Sequence, residues 1–127
     1  MTYASALARY QEVDVLTMSP ARRLVLVYSH LVLALRQARA AIIARDIPGR
    51  SIRVVKALDI LNELLFSLDR EAGGKLANDL AALYLYLIGE VTTVDRHPDT
   101  ARLDRVIELV ATLHESWAEA ARTLEHA

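Results

Sequence analysis

Four long stretches of this chain repeat apolar residues at intervals of three and four, and short polar breaks separate them. The first carries Leu24, Tyr28, Leu31, Leu35, Ala38 and Ile42; the second Val54, Leu58, Leu61, Leu65 and Leu68. The third holds Leu76, Leu80, Leu83, Leu87, Val91 and Val94; the fourth Leu103, Val106, Val110, Leu113, Trp117, Ala120 and Leu124. Such spacing keeps each set on one face of an α-helix. Short connections make successive helices antiparallel neighbours. The chain is therefore expected to be all-α: an antiparallel four-helix bundle with a short N-terminal arm.

The breaks carry helix punctuation. Ser19-Pro20 reads as an N-cap followed by proline at the first helical position. The first helix is expected from Pro20 to about Arg45. Pro48 and Gly49 break the chain next, and Ser51 is a plausible cap for a second helix over 51–68. Gly73 and Gly74 are able to take the positive φ that closes a helix. The third helix then covers about 74–94. Asp95–Asp99 forms the last loop, with Asp99 or Thr100 capping a fourth helix over 101–124.

Residues 1–18 form the arm and residues 19–127 the bundle, as one domain. Tyr3, Leu7 and Tyr10 make at most a two-turn stripe in the arm. Two readings stay open for it: an ordered segment lying on the bundle, or a detachable cover for an apolar groove.

Hydrophobic residues make up 54% of the 127 positions, so the chain folds and must place much apolar surface in a core, an interface or a groove. A formal net charge of −1 gives no footprint for nucleic acid. The absence of cysteine excludes disulfides and thiolate chemistry and fits a reducing compartment. The first ten residues lack the basic region and apolar core of a secretory signal. The most apolar segment, 24–35, is broken by Ser29 and His30 and is short of the ~20 residues of a membrane span. A cytosolic protein without a membrane span is the expectation.

Chemistry is not legible in the pattern. His30, His97, His114 and His126 sit singly, and no Glu precedes a His by three residues, as a di-metal bundle site would require. Neither a P-loop nor a dinucleotide fingerprint is present. Asp69 and Glu71, beside the glycines, are better placed to cap the third helix or pair with Arg70 or Lys75 than to act as acid and base. The expectation is no enzyme, no metal and no cofactor. What remains is surplus apolar surface. The second helix adds Ile52, Val55, Ile60 and Leu64 beside its main stripe; the third adds Ala77, Ala81, Tyr84 and Ile88. Either the core absorbs these residues, or they line a groove for another protein's amphipathic segment.

The stretch Leu68, Asp69, Gly73, Gly74, Leu76, Ala77, Asp79, Leu80, Leu83, Tyr84, Tyr86 resembles the flagellin-specific export chaperones of bacterial flagella, the FliS family. The likeness covers nearly the whole chain. Tyr10, Val15, Thr17, Ser19, Pro20 and Leu24 match its N-terminal pattern, and Asp46-Ile47 its first turn. Lys56-Ala57, Ile60 and Leu64 match its second helix, and Leu113 with Trp117 its last.

The resemblance implies a cytoplasmic helical bundle serving flagellum biogenesis and type III secretion. Such proteins bind the disordered C-terminal region of flagellin, prevent premature polymerisation and assist delivery to a flagellar export gate protein. It also implies that the arm moves aside, with Leu7 and Tyr10 bearing on client binding. Leu7, Tyr10, Ile60, Leu64, Tyr84 and Ile88 are the expected flagellin-binding residues. Some positions depart from the family pattern: Lys75 for a frequent Glu, Asp79 for the usual Asn, Leu85 for a common Asp, and Gly89-Glu90 for two arginines. These change the charge of the third helix and so bear on which client it takes. Two rivals stand beside this reading: an adaptor for a flagellar regulator or co-chaperone, and a homodimeric bundle whose surplus face is a self-interface.

Overall fold

A computed structural model describes residues 18–126. Its helices are α1 (Pro20–Ile43), α2 (Ile47–Phe66), α3 (Arg70–Arg96) and α4 (Thr100–Glu125), with no strand among the described residues. They run up and down in an antiparallel bundle: α1 packs on α2 and α4, α3 completes the ring, and α3 and α4 touch least. The expected architecture is present. Leu7 and Tyr10 fall outside the described residues.

Local chemistry sets each start. The Arg22 amide donates to Ser19 Oγ at 3.2 Å, and Pro20 needs no partner for an N–H it lacks. The second helix begins four residues earlier than the sequence suggested. Asp46, not Ser51, is its cap, accepting from the Gly49 amide at 3.0 Å. Pro48 and Gly49 belong to the first turn, where a missing N–H costs nothing. Asp69 caps α3 through the Ala72 amide at 3.0 Å, and Asp99 caps α4. Gly74 takes the expected positive φ, but what it closes is the single turn from Arg70, since α2 has already ended at Phe66. Residues Arg70–Gly73 already wind helically, and Gly74 alone leaves the helical region, at φ 55°, ψ −131°. That kink re-aims the chain into the long part of α3.

The end of α1 is closed by a residue without glycine's freedom. Arg45 has φ 57°, while its amide donates to Ile42 O at 3.1 Å and the Asp46 amide to Ala41 O at 2.9 Å. This crossed pair is the Schellman arrangement, in which the left-handed position favours glycine. Arg45→Gly is expected to stabilise the protein by about 1 kcal/mol, read as a higher urea midpoint at unchanged slope.

Every described buried residue is hydrophobic, with Tyr28, Leu31, Leu35, Leu61, Leu87, Leu103 and Val110 at the centre. Here the stripes read from the sequence need correction. The core stripe of α1 is as expected. In α2, however, Ile60 and Leu64 are buried at 6% and 4% exposure, while Leu58, Leu65 and Leu68 lie at the edge of the core. In α3, Ala77, Ala81 and Tyr84 face inward and Leu76 stands 60% exposed. The alanines let neighbouring helices approach closely, so of the two readings left open for them the core absorbs them. By length and mean hydropathy α1 is apolar enough to cross a membrane, contrary to the expectation for 24–35. Its apolar side is instead spent on the bundle, with Tyr28, Leu31, Ala34, Leu35 and Ala38 buried.

Ion pairs tie the helices at both ends. Arg22 donates to Glu125 at 2.6 Å where α1 starts and α4 ends, and Arg39 to Asp104 at 2.5 Å near the opposite end. Both are exposed and contribute little individually. Arg22 holds the Glu125 carboxyl below the usual carboxylate range, so that pair's contribution is present at neutral pH and is lost as pH falls through the lowered value.

Candidate functional site

Two features stand out once the core is assigned: a polar contact inside it and an apolar strip outside it. The interior contact joins Tyr28 of α1 to Tyr84 of α3, hydroxyl to hydroxyl at 2.5 Å, across the diagonal of the bundle. Both rings are at or below 2% exposure. A buried phenol needs a partner, and these two supply each other. Trp117 of α4 packs against Tyr28 with ring centroids 6.2 Å apart and planes tilted by 53°. Its indole N–H is buried without a hydrogen bond of good geometry, yet it lies close enough to Tyr28 to favour that residue's ionised form slightly.

Burial is the main cause raising both tyrosine pKa values, and the hydrogen bond shared with Tyr28 raises Tyr84 further. A raised folded-state value means that the neutral hydroxyls stabilise the fold below the ordinary value of 10.0. That contribution falls as pH rises past it. Tyr28 and Tyr84 are expected to ionise only as the bundle unfolds. Absorbance of the phenolate followed together with helicity checks this. A Tyr28→Phe, Tyr84→Phe double variant is expected to lose the late, unfolding-coupled part of the titration.

The exterior strip runs along the α3–α4 seam. Leu76, Leu80, Leu83 and Glu90 follow one edge of α3 at intervals of four, three and seven, and Glu90 accepts from Arg102 of α4 at 2.9 Å, marking that edge as the α4 side. From α4, Leu109, Leu113 and Leu124 share the edge that Arg102 begins. Leu80, Leu83, Leu109 and Leu113 are half-buried against the core; Leu76 and Leu124 stand largely free, at 60% and 68% exposure. Tyr86 lies exposed beside them, and Leu85 is exposed on the α2 side of α3. A separate cleft of about 390 Å³ opens between the first turns of α1 and the last turns of α2, lined by Pro20, Leu24, Val27, Glu63 and Leu64.

The residues singled out from sequence are thus distributed unevenly. Ile60 and Tyr84 are core residues, Leu64 is a core residue that also floors the α1–α2 cleft, and Ile88 is half-buried at the edge of the core. Sequence reasoning missed Leu76, Leu85, Tyr86 and Leu124 as exposed apolar groups. It also missed the Tyr28–Tyr84 bond. A signal for that bond was available: α1 and α3 start at the same end of the bundle, with Tyr28 about two turns past Pro20 and Tyr84 about three turns past the Gly74 kink. Of the departures on α3, Lys75 and Asp79 form an exposed ion pair with each other at 2.8 Å, and Leu85 adds apolar surface. Among the described residues no three His, Asp or Glu side chains converge as a metal site would need. The surface offers apolar area between helices.

Comparison with known proteins agrees with that character. The family model described as "Flagellar protein FliS" matches residues 3–124. The chain is 33% identical over 116 residues to the flagellar secretion chaperone FliSB of Pseudomonas aeruginosa, covering 88% of this chain and 92% of that protein. It is 27% identical over 124 residues to the flagellar secretion chaperone FliS of Salmonella typhimurium, covering 94% and 92%. Over a shorter span of 81 residues it is 35% identical to FliS of Vibrio cholerae, covering 64% and 60%. A match along almost its whole length shows that the chain belongs to the FliS family of flagellar secretion chaperones.

Proposed function

We propose that this protein is a cytoplasmic export chaperone for flagellin. It holds the disordered C-terminal region of flagellin, prevents its premature polymerisation and assists its delivery to the flagellar export gate. The observation that carries this reading is the apolar strip along the α3–α4 seam, continued by exposed groups on α3. A disordered client loses conformational entropy when it orders, so it needs a long apolar track rather than a compact pocket. Leu76, Leu83, Tyr86 and Leu124 provide such a track on a rigid bundle.

Within this reading the residues expected from sequence take different parts. Leu7 and Tyr10 cap the apolar surface in the free protein. Ile88, at the margin of the core, meets the client; Leu64 floors the α1–α2 cleft, and Ile60 and Tyr84 support the surface from beneath. The test is calorimetric titration of the full chain with the last ~50 residues of flagellin from the same organism. Saturable binding with a large negative heat-capacity change is expected, and Leu76→Glu with Leu83→Glu should weaken it at least about tenfold. Absence of binding both to the full chain and to a chain lacking its first 18 residues would overturn the reading.

A further inference from the structure

The outward edge of α2 carries an order of charge that nothing among the described residues answers. Arg53 and Lys56 lie in its first half, Asp59 and Glu63 in its second. None of the four makes an ion pair among the described residues, whereas Arg50 on the same helix reaches Asp95 of α3. Ile52, Val55 and Phe66 stand among them at 64%, 55% and 84% exposure, Phe66 being the most exposed large hydrophobic side chain described. Ile52, Asp59 and Phe66 are a heptad apart and so share one line along the helix. Leu33 of α1 faces the same side and, with Ile52 and Val55, lines an open cleft of about 610 Å³. A second cleft adjoins it, lined by Ala40, Ala41, Ala44 and Gly49.

A contact between identical copies across a two-fold axis must complement itself. A helix edge that is basic in one half and acidic in the other does so only in an antiparallel pair; a parallel pair would set Lys56 on Lys56. We propose that the outer α1–α2 face is a homodimer interface, with the α2 helices of two copies antiparallel about an axis passing between Lys56 and Asp59. In that register Lys56 of each copy meets Asp59 of the other, and Arg53 meets Glu63. Phe66 then reaches the alanine-lined cleft beside Gly49. An unrelated helix would need the same bipolar charge order and the same spacing of apolar groups, and α2 of a second copy has both. The contact rests mainly on one helix of 20 residues, about 30 Å long, which places it among small interfaces and makes the dimer concentration-dependent. The α3–α4 strip lies on the opposite side of the ring and stays free, so the interface does not depend on the proposed client.

Sedimentation velocity of the full chain over about 1–200 μM, a range that brackets weak interfaces, tests the proposal. Expected is a monomer–dimer equilibrium whose dissociation constant rises with salt. The deciding variants are Arg53→Glu with Lys56→Glu, making the edge wholly acidic, and Asp59→Lys with Glu63→Lys, making it wholly basic. Each alone should remain monomeric over the range, and an equimolar mixture should form a heterodimer. All four positions are exposed, and helicity of each variant confirms its fold. Phe66→Ser, which leaves every charge in place, should raise the dissociation constant at least tenfold. A wild-type chain that stays monomeric throughout, reversed variants that dimerise like the wild type, or folded variants whose mixture does not pair would each overturn the proposal.

Discussion

Tyr84→Ala is expected to lower stability by about 3–5 kcal/mol, the range for removing a buried aromatic ring from a packed core. The ring is at 2% exposure and sits between α1, α2 and α4, so little of the vacated space can be refilled from the surface. The alanine also leaves the Tyr28 hydroxyl without its partner. Thermal or urea unfolding followed by far-ultraviolet dichroism measures the loss. The conservative Tyr84→Phe separates the two contributions. It keeps the volume and strands one hydroxyl, for which the cost is about 1–3 kcal/mol. The low end of that range is expected, because Tyr28 retains the buried indole N–H of Trp117 as a neighbour able to donate to it. A Tyr84→Phe variant as damaged as Tyr84→Ala would show that the hydrogen bond, not the ring, dominates.

Gly74→Ala is the second large effect, about 1–3 kcal/mol. The reason is conformational rather than steric. At φ 55° and ψ −131° the residue occupies a region that side chains with a Cβ avoid, although a Cβ built there would meet nothing within 4 Å. Strain of this kind is relieved only by moving the backbone, and the backbone here joins the capped first turn of α3 to its long part. The variant should therefore lose protection from hydrogen exchange first around 70–77, ahead of global unfolding. At Gly73 the cause is the opposite: φ is ordinary, but a Cβ would approach that of Ala77 to 2.6 Å.

Much of this architecture was legible because helical periodicity is insensitive to small errors. The α1 stripe, the Ser19 cap and the antiparallel order follow directly from spacing and punctuation. Helix starts were less legible. Pro48-Gly49 reads as a break, yet proline is tolerated in a first turn, and Asp46 supplied the cap that Ser51 was expected to give. The candidate surface was hardest to read. Spacing shows how wide an apolar face is, not which half of it turns inward. In α3 the choice fell to Ala77 and Ala81, whose small side chains admit a neighbouring helix, while Leu76 was turned out. In α2 the same rotation buried Ile60 and Leu64 and exposed Ile52 and Val55. Family likeness identified what kind of protein this is without locating where it binds.

The placement of Trp117 has a practical corollary. It is the sole tryptophan of the chain, partly buried on the helix that forms one wall of the least tightly packed seam, and within reach of Tyr28 for excitation transfer. Its emission therefore reports on that seam without any attached dye. A peptide seated along the strip should dehydrate the indole and shift its emission to the blue. Separation of α3 from α4 should redden it while transfer from Tyr28 on α1 persists. The protein carries its own optical gauge, placed where two neighbouring helices hold each other most loosely.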